Sequence, residues 1–467
     1  MIRIASVAIL SLALGGCMAD LSNGPVASIT EAEIGHRPQN IASDAEMLQA
    51  AERTRALLRK PLSVEASVEI ALLNNRGLQA AYNDLGLAQA ALIRGSLPAN
   101  PRFGISRMSN SGELEIEREA LVGLFSLVTL PARAARSQEE FRAAQYRTAE
   151  AVLRLAVDVR RQYYRTVAAN EQVAILVQAK SLTDTQADIA KKLGEAGSLN
   201  KLDQAREFAL AAEFDNQLAR ARLNQRVERE RLVRLLGLWG QDLNFKLPSS
   251  LPILPVRLRT AEAIEAQALT RRVDLAAQKH ELEALAITLG FTQATRFVTD
   301  IELIGRMKDV KDRTADTTTR SRGGGLEFEI PLFDFGAARS LEAEQRYMRA
   351  ANLLADKAVR VRSEAREAYV AYQGTWNVAR HFEKSVLPLR QEIQNEMLLH
   401  YNGMLKDLSS LIVDTRANVL ARMQAIDARR DFWIAENEMR AALAGGGSGT
   451  STVSAGNPAA SAAADAH

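Results

Sequence analysis

Leu130–Pro131–Ala132–Arg133–Ala134–Ala135–Arg136–Ser137 returns in the second half of the chain as Leu332–Phe333–Asp334–Phe335–Gly336–Ala337–Ala338–Arg339–Ser340. Two further echoes keep the same order. Upstream, Ala71–Leu72–Leu73–Asn74–Asn75–Arg76–Gly77–Leu78 is matched by Ala268–Leu269–Thr270–Arg271–Arg272–Val273–Asp274–Leu275. Downstream, Gly197–Ser198–Leu199–Asn200–Lys201–Leu202 is matched by Gly403–Met404–Leu405–Lys406–Asp407–Leu408. Three echoes in register mark an internal duplication. Each half carries the same series: a helix, two alternating strands, then a long helical pair.

The helical pairs read clearly. Ala132 to Leu193 contains neither Gly nor Pro across 62 residues rich in Ala, Arg, Gln and Glu, so one continuous helix is expected. At 1.5 Å per residue it reaches roughly 90 Å. Gly194 and Gly197 end it, and a breaker-free return runs from Ser198 to Leu236. In the second half a helix from Ala337, with a kink or break expected at Gly374 and Pro388, turns at Gly403 and returns to Ala444. The two returning runs are 39 and 41 residues long, so the hairpins match.

Strand signals sit between the helices. Glu113–Leu114–Glu115–Ile116–Glu117 and Leu326–Glu327–Phe328–Glu329–Ile330 alternate with period two. The resulting division is a first repeat over 61–240, with strands at about 102–108 and 113–130 and a hairpin over 132–236. A linker follows at 241–259. The second repeat covers 260–444, with strands at about 297–307 and 325–332, a polar loop from Lys308 to Gly325, and a hairpin over 337–444. Residues 17–60 read as polar and irregular, and 445–467, rich in Gly, Ser and Ala, as a disordered tail.

The N-terminus reads as an address. Arg3 precedes an apolar run from Ile4 to Leu14, too short to span a bilayer, and Leu14–Gly15–Gly16–Cys17 follows. Residues 1–16 are expected to be a signal peptide. The site resembles a bacterial lipobox, which implies that Cys17 is lipidated and begins the mature chain. Met18 after it is similar to lipoproteins sent to the outer membrane. Cys17 is the single cysteine, so no disulfide within the mature chain is possible.

Composition excludes several functions. The chain has 467 residues, and 59 basic and 56 acidic ones are interspersed for a net charge of +3, which argues against a nucleic-acid surface. No nucleophile–base pattern or phosphate loop appears, so the chain is expected to be a non-enzyme with no cofactor. The five histidines lack metal-ligand spacing, and no metal site is expected. Trp376 and Trp433 are assigned to core packing, Trp239 to packing against a mid-helix belt, and Gly323–Gly324–Gly325 to a flexible turn.

Four strands with two-faced alternation cannot close a barrel alone, and lipid forbids open strand edges. Several chains sharing one barrel would solve this. The duplicated order, the Asn74–Asn75 neighbourhood, the Pro331–Leu332–Phe333–Asp334–Phe335–Gly336 junction and the glycine-tipped hairpins together resemble the TolC-like outer-membrane efflux proteins over residues from about 60 to 444. The lipobox is similar to that of the branch serving resistance-nodulation-division pumps.

The resemblance implies a mainly α protein with a small β part. It would be a homotrimer with a shared twelve-stranded barrel in outer-membrane lipid and a periplasmic tunnel of coiled-coil hairpins. Its partners would be a periplasmic adaptor and an inner-membrane pump, and its cargo small molecules or ions. The tip Tyr401–Asn402–Gly403–Met404–Leu405 is similar to members associated with heavy-metal efflux. In the family the tips form the gate and adaptor contact, which maps here to Gly194, Gly197, Tyr401 and Gly403. Asp203, Asp407, Ser409 and Asp414 are candidate aperture residues. The family often carries Asp at the sixth and ninth positions after the second tip glycine, whereas this chain has Ser409 and Ile412. Two alternatives stay open: a duct for one-step protein secretion, and a periplasmic adaptor lipoprotein, against which two hairpins argue.

Overall fold

The computed structural model describes residues 23–38, 40–260, 262–403, 405–406 and 408–447. The signal-peptide and Cys17 readings, and the tail beyond residue 447, lie outside them. Among the described residues the order is α1 (Asn23–Ile34), α2 (Asp44–Leu58), α3 (Val64–Asn74), α4 (Arg76–Gly95), β1 (Arg102–Ser109), β2 (Glu113–Gly123), α5 (Leu124–Val128), α6 (Leu130–Glu195) and α7 (Lys201–Leu236). The second half follows as α8 (Ile264–Arg271), α9 (Val273–Ala294), β3 (Asp300–Asp312), β4 (Thr317–Glu329), α10 (Ala337–His381), α11 (Leu387–Asn402) and α12 (Leu408–Ala444). The chain is mainly helical, with one antiparallel sheet in the order β1-β2-β3-β4. The 66 residues of α6 reach roughly 100 Å.

Contacts divide the chain into two units. One holds Ala81–Thr148 and Val273–Val359, including the sheet. The other holds Ala27–Ala80, Ala149–Arg272 and the chain from Arg360 on. In the second unit Leu176 and Ala179 of α6 pack on Leu210, Phe214 and Leu218 of α7, with Ile412, Val419 and Met423 of α12 against them. An aromatic run continues that core: Tyr164 stacks on Trp433 at 5.8 Å and Tyr372 on Phe432 at 5.6 Å between ring centres.

Close backbone packing occurs at two of the motifs that the sequence singles out. Gly237 ends α7 with φ +67°, and a Cβ there would sit 2.6 Å from the Asn74 carbonyl oxygen, while Asn75 Nδ2 donates to the Leu235 carbonyl at 3.0 Å. At the strand-to-helix junction Gly336 has φ +72°, and its Cβ would meet the Arg296 carbonyl oxygen at 2.4 Å. The Asp334 carboxylate accepts from the Gly336 and Ala338 amides and so caps α10.

Several segments differ from the sequence reading. The stretch over 17–60 contains helices α1 and α2, the latter with a Ser43–Glu46 capping box. The helix that opens the first half, read from sequence as one run from about Leu62 to Gly95, is split at Asn75 into α3 and α4. The second strand ends at Gly123 rather than 130, where α5 begins. Most of the polar stretch from Lys308 to Gly325 is strand, because β3 extends to Asp312 and β4 begins at Thr317. Gly323–Gly324–Gly325 therefore lies inside β4, opposite Arg306, Gly305 and Ile304.

Helix α10 passes through Gly374 unbroken, and the irregularity is a π-turn at Phe382–Val386. There the Leu387 N–H donates to the Phe382 carbonyl five residues back. The widened turn directly precedes Pro388, which has no N–H and whose ring crowds the preceding helical carbonyl. Trp239 is 83% exposed on this chain rather than packed. The Trp376 and Trp433 indoles donate to the Pro255 and Pro252 carbonyls, each at 3.1 Å, and so bind the linker as well as packing.

Candidate channel wall and gate

The sheet has two chemically distinct faces. Cross-strand partners share a face, and pairing places Phe103 opposite Ala120, Val122 opposite Leu303, Leu303 opposite Leu326, and Ile301 opposite Phe328. This face carries Phe103, Ile105, Leu303, Leu326 and Phe328, all exposed on the chain. The apolar band extends from the Ile301–Phe328 level to the Met307 level, roughly 20 Å along the strands. At the hairpin end the same face turns polar, with Asp309 accepting from Arg118 and Arg320, each at 2.8 Å.

The opposite face is charged. Glu113, Glu115, Glu117 and Glu119 alternate along β2, and β3 answers with Arg306 to Glu119 at 3.0 Å and Lys308 to Glu115 at 2.5 Å. Register adds Glu302, Asp312, Glu327 and Glu329, with Arg102 as the third cationic group. With Asp300, which pairs with Glu329, nine carboxylates thus share this face with three cationic side chains. An apolar face behind a charged one is what a strand needs to stand between lipid and water. Among the described residues the outer edges of β1 and β4 have no strand neighbour.

The first tip is a capped reversal. Gly197 adopts φ +73°, the Ser198 amide donates to the Leu193 carbonyl at 2.9 Å, and Asn200 caps α7 by accepting from the Asp203 amide at 2.8 Å. Asp203 is held locally: Asn200 Nδ2 donates to it at 2.6 Å and Arg206 lies at 3.1 Å. A Cβ on Gly194 would meet only the flexible end of Gln204.

The second tip is built differently. Gly403 has φ −78°, a value open to any residue, and its amide donates to the Leu399 carbonyl at 2.9 Å. The turn at Gly403 therefore does not depend on glycine freedom, whereas Gly197 sits in the left-handed region. Tyr401 is half-buried beside it. Asp407 and the Ser409 side chain lie outside the described residues.

Asp414 is buried on this chain. It is 6% exposed, its Oδ2 has no hydrogen-bond partner, and burial pushes its carboxyl up despite the pull of Arg390. Glu207 on α7 was not singled out from sequence. It is fully buried, neither carboxylate oxygen has a partner, and burial raises its carboxyl above the usual range. The signal is present in the sequence, because Glu207 sits on the apolar stripe of Leu210, Phe214 and Leu218.

No helix among the described residues is long and apolar enough to cross a membrane. No protein-family model and no curated protein matches the chain. Solved structures do, and the fold is that of the TolC-like outer-membrane channels. The Campylobacter jejuni outer-membrane channel CmeC is 17% identical with a TM-score of 0.70 over 82% of this chain and 86% of that one. CusC, described for its folding and transmembrane channel formation, is 18% identical with a TM-score of 0.68 over 81% and 91%. The open state of the Neisseria gonorrhoeae channel MtrE is 17% identical with a TM-score of 0.67 over 82% and 89%.

Proposed function

We propose that this chain is the outer-membrane exit duct of a tripartite efflux system. Three copies contribute twelve strands to one barrel, and their hairpins form a periplasmic tunnel that meets an adaptor and an inner-membrane pump. The single observation that carries this reading is the two-faced, open-edged sheet. Its apolar face needs lipid, its charged face needs water, and its free edges need neighbouring copies. Cys17 anchors the mature chain through its acyl groups. Small molecules or ions pass, and the surplus of carboxylates on the charged face suits cations, heavy-metal ions among them.

The tips at Gly194–Gly197 and Tyr401–Gly403 form the gate and the adaptor contact, with Asp203 and Asp407 contributing to the aperture. Exposed ion pairs there are each worth only about 0–1 kcal/mol, small enough for an adaptor to overcome. The test is purification from the membrane, light scattering, mass analysis of the N-terminus and planar-bilayer recording on one preparation. Expected are three chains per particle, an acylated Cys17, and conductance that rises in Asp203→Ala/Asp407→Ala. A stable monomer with full strand content refutes the duct. An unmodified N-terminus refutes the anchor alone, and conductance indifferent to the double substitution refutes the tip gate alone.

A further inference from the structure

Helices α6 and α9 bring three ligand-bearing side chains together within the sheet-bearing unit. His280 Nδ1 lies 2.7 Å from Glu139 Oε2 and 3.6 Å from Glu283 Oε2. The three ligand atoms all fall within 4.8 Å of one another. We propose that Glu139, His280 and Glu283 form a binding site for a divalent transition-metal ion of the zinc class, which joins α6 to α9.

The chemistry of the donor set supports a metal over a plain ion pair. One imidazole nitrogen and two carboxylate oxygens are a borderline set that suits Zn²⁺ and its neighbours. His280 and Glu283 stand one turn apart on α9, so both reach the same point from one helix face. Glu139 closes the third side from α6. Ligand atoms bound at about 2.0–2.2 Å in tetrahedral geometry stand a little over 3 Å apart. The two measured separations bracket that spacing, so small rotamer changes would admit the ion.

The surroundings orient the ligands as a metal site's outer groups do. Arg142 Nη1 donates to Glu139 Oε1 at 2.7 Å, engaging the oxygen that does not face His280. Tyr146 stacks on the His280 ring at 5.4 Å and 15°, fixing its plane. The Arg142 charge offsets one carboxylate, so a divalent ion leaves a single net positive charge at the site. Glu139 and His280 are largely enclosed, whereas the Glu283 side chain is 62% exposed. The ion would enter there, with water completing its coordination. Sequence spacing concealed the cluster, because Glu139 is 141 residues from His280. Such a site runs against the metal-free expectation drawn from the lack of paired histidines.

The experiment uses the full-length protein in detergent, stripped with a chelator and dialysed against Zn²⁺, with bound metal quantified per chain. The wild type should bind one Zn²⁺ per chain, with one imidazole in the X-ray absorption first shell and a melting temperature that rises on loading. Glu283→Gln should weaken binding by about 10- to 100-fold, and His280→Gln should remove the imidazole signal. Glu283 is exposed, so its variant keeps the fold even where His280→Gln does not. Substoichiometric binding by the wild type overturns the proposal. So does Zn²⁺ affinity unchanged in Glu283→Gln, which assigns the metal to other histidines.

Discussion

Glu207 shows what a single misplaced charge does to a helical hairpin. A carboxylate with no hydrogen-bond partner inside an apolar seam is destabilising unless it is protonated. Burial raises its folded-state value above the ordinary 4.5, so the folded tip binds a proton that the unfolded chain has released. Its contribution is most favourable below about 4.5 and is lost as pH rises through the raised value. Asp414 acts in the same sense from its ordinary 3.8. Mild acid should therefore tighten the hairpins, and Glu207→Leu should stabilise them by about 1–3 kcal/mol while flattening the pH dependence. Thermal melts of wild type and variant from pH 5 to 8 check this; parallel curves would show that Glu207 has found a partner.

Glycines separate at the same scale. Gly336→Ala forces a Cβ against the Arg296 carbonyl in a left-handed conformation and should lose several kcal/mol. Gly403→Ala, at an ordinary φ, should change stability by less than about 1 kcal/mol. Comparable melting temperatures for the two variants would contradict the geometry.

At the scale of elements, legibility followed the physics of each segment. Long helices announce themselves because Gly and Pro are costly inside them, and Ala132 to Leu193 has neither. The inner halves of the strands alternate because one face is apolar. Their outer halves, Lys308–Asp312 and Thr317–Gly325, are polar on both faces and so look like loop. Helix α2 was missed because it buries only Ala50 and Thr54, leaving almost no apolar stripe to read. The buried acids and the Glu139–His280 pair depend on which helices meet, which local pattern does not encode.

The linker offers a test at this scale. Trp376 and Trp433 each hold one of its carbonyls, and each such bond is worth about 1 kcal/mol. Trp376→Phe with Trp433→Phe should keep the helical circular-dichroism signal while opening residues 248–259 to limited proteolysis. Cleavage at the wild-type rate would mean that packing alone secures the segment.

At the scale of the whole molecule, the faces of the sheet fix which way a shared barrel must turn. Were the charged face outward, nine carboxylates per chain would meet hydrocarbon, at several kcal/mol for each unpaired charge near the bilayer midplane. In the proposed barrel the apolar face therefore goes to lipid, and the Glu113–Glu119 row lines the lumen. Three of the nine carboxylates at most are offset by Arg102, Arg306 and Lys308, so the proposed lumen would carry a negative surplus that each further chain multiplies. Such a surplus attracts cations, and more strongly at low salt, where screening is weak. In a potassium chloride gradient across a planar bilayer, the reversal potential should report cation preference. Replacing Glu113, Glu115, Glu117 and Glu119 together by Gln should shift it toward zero. Replacing Arg320, on the other face, should leave it unchanged. A reversal potential that responds to Arg320 and ignores the glutamates would mean that the faces are assigned the wrong way round.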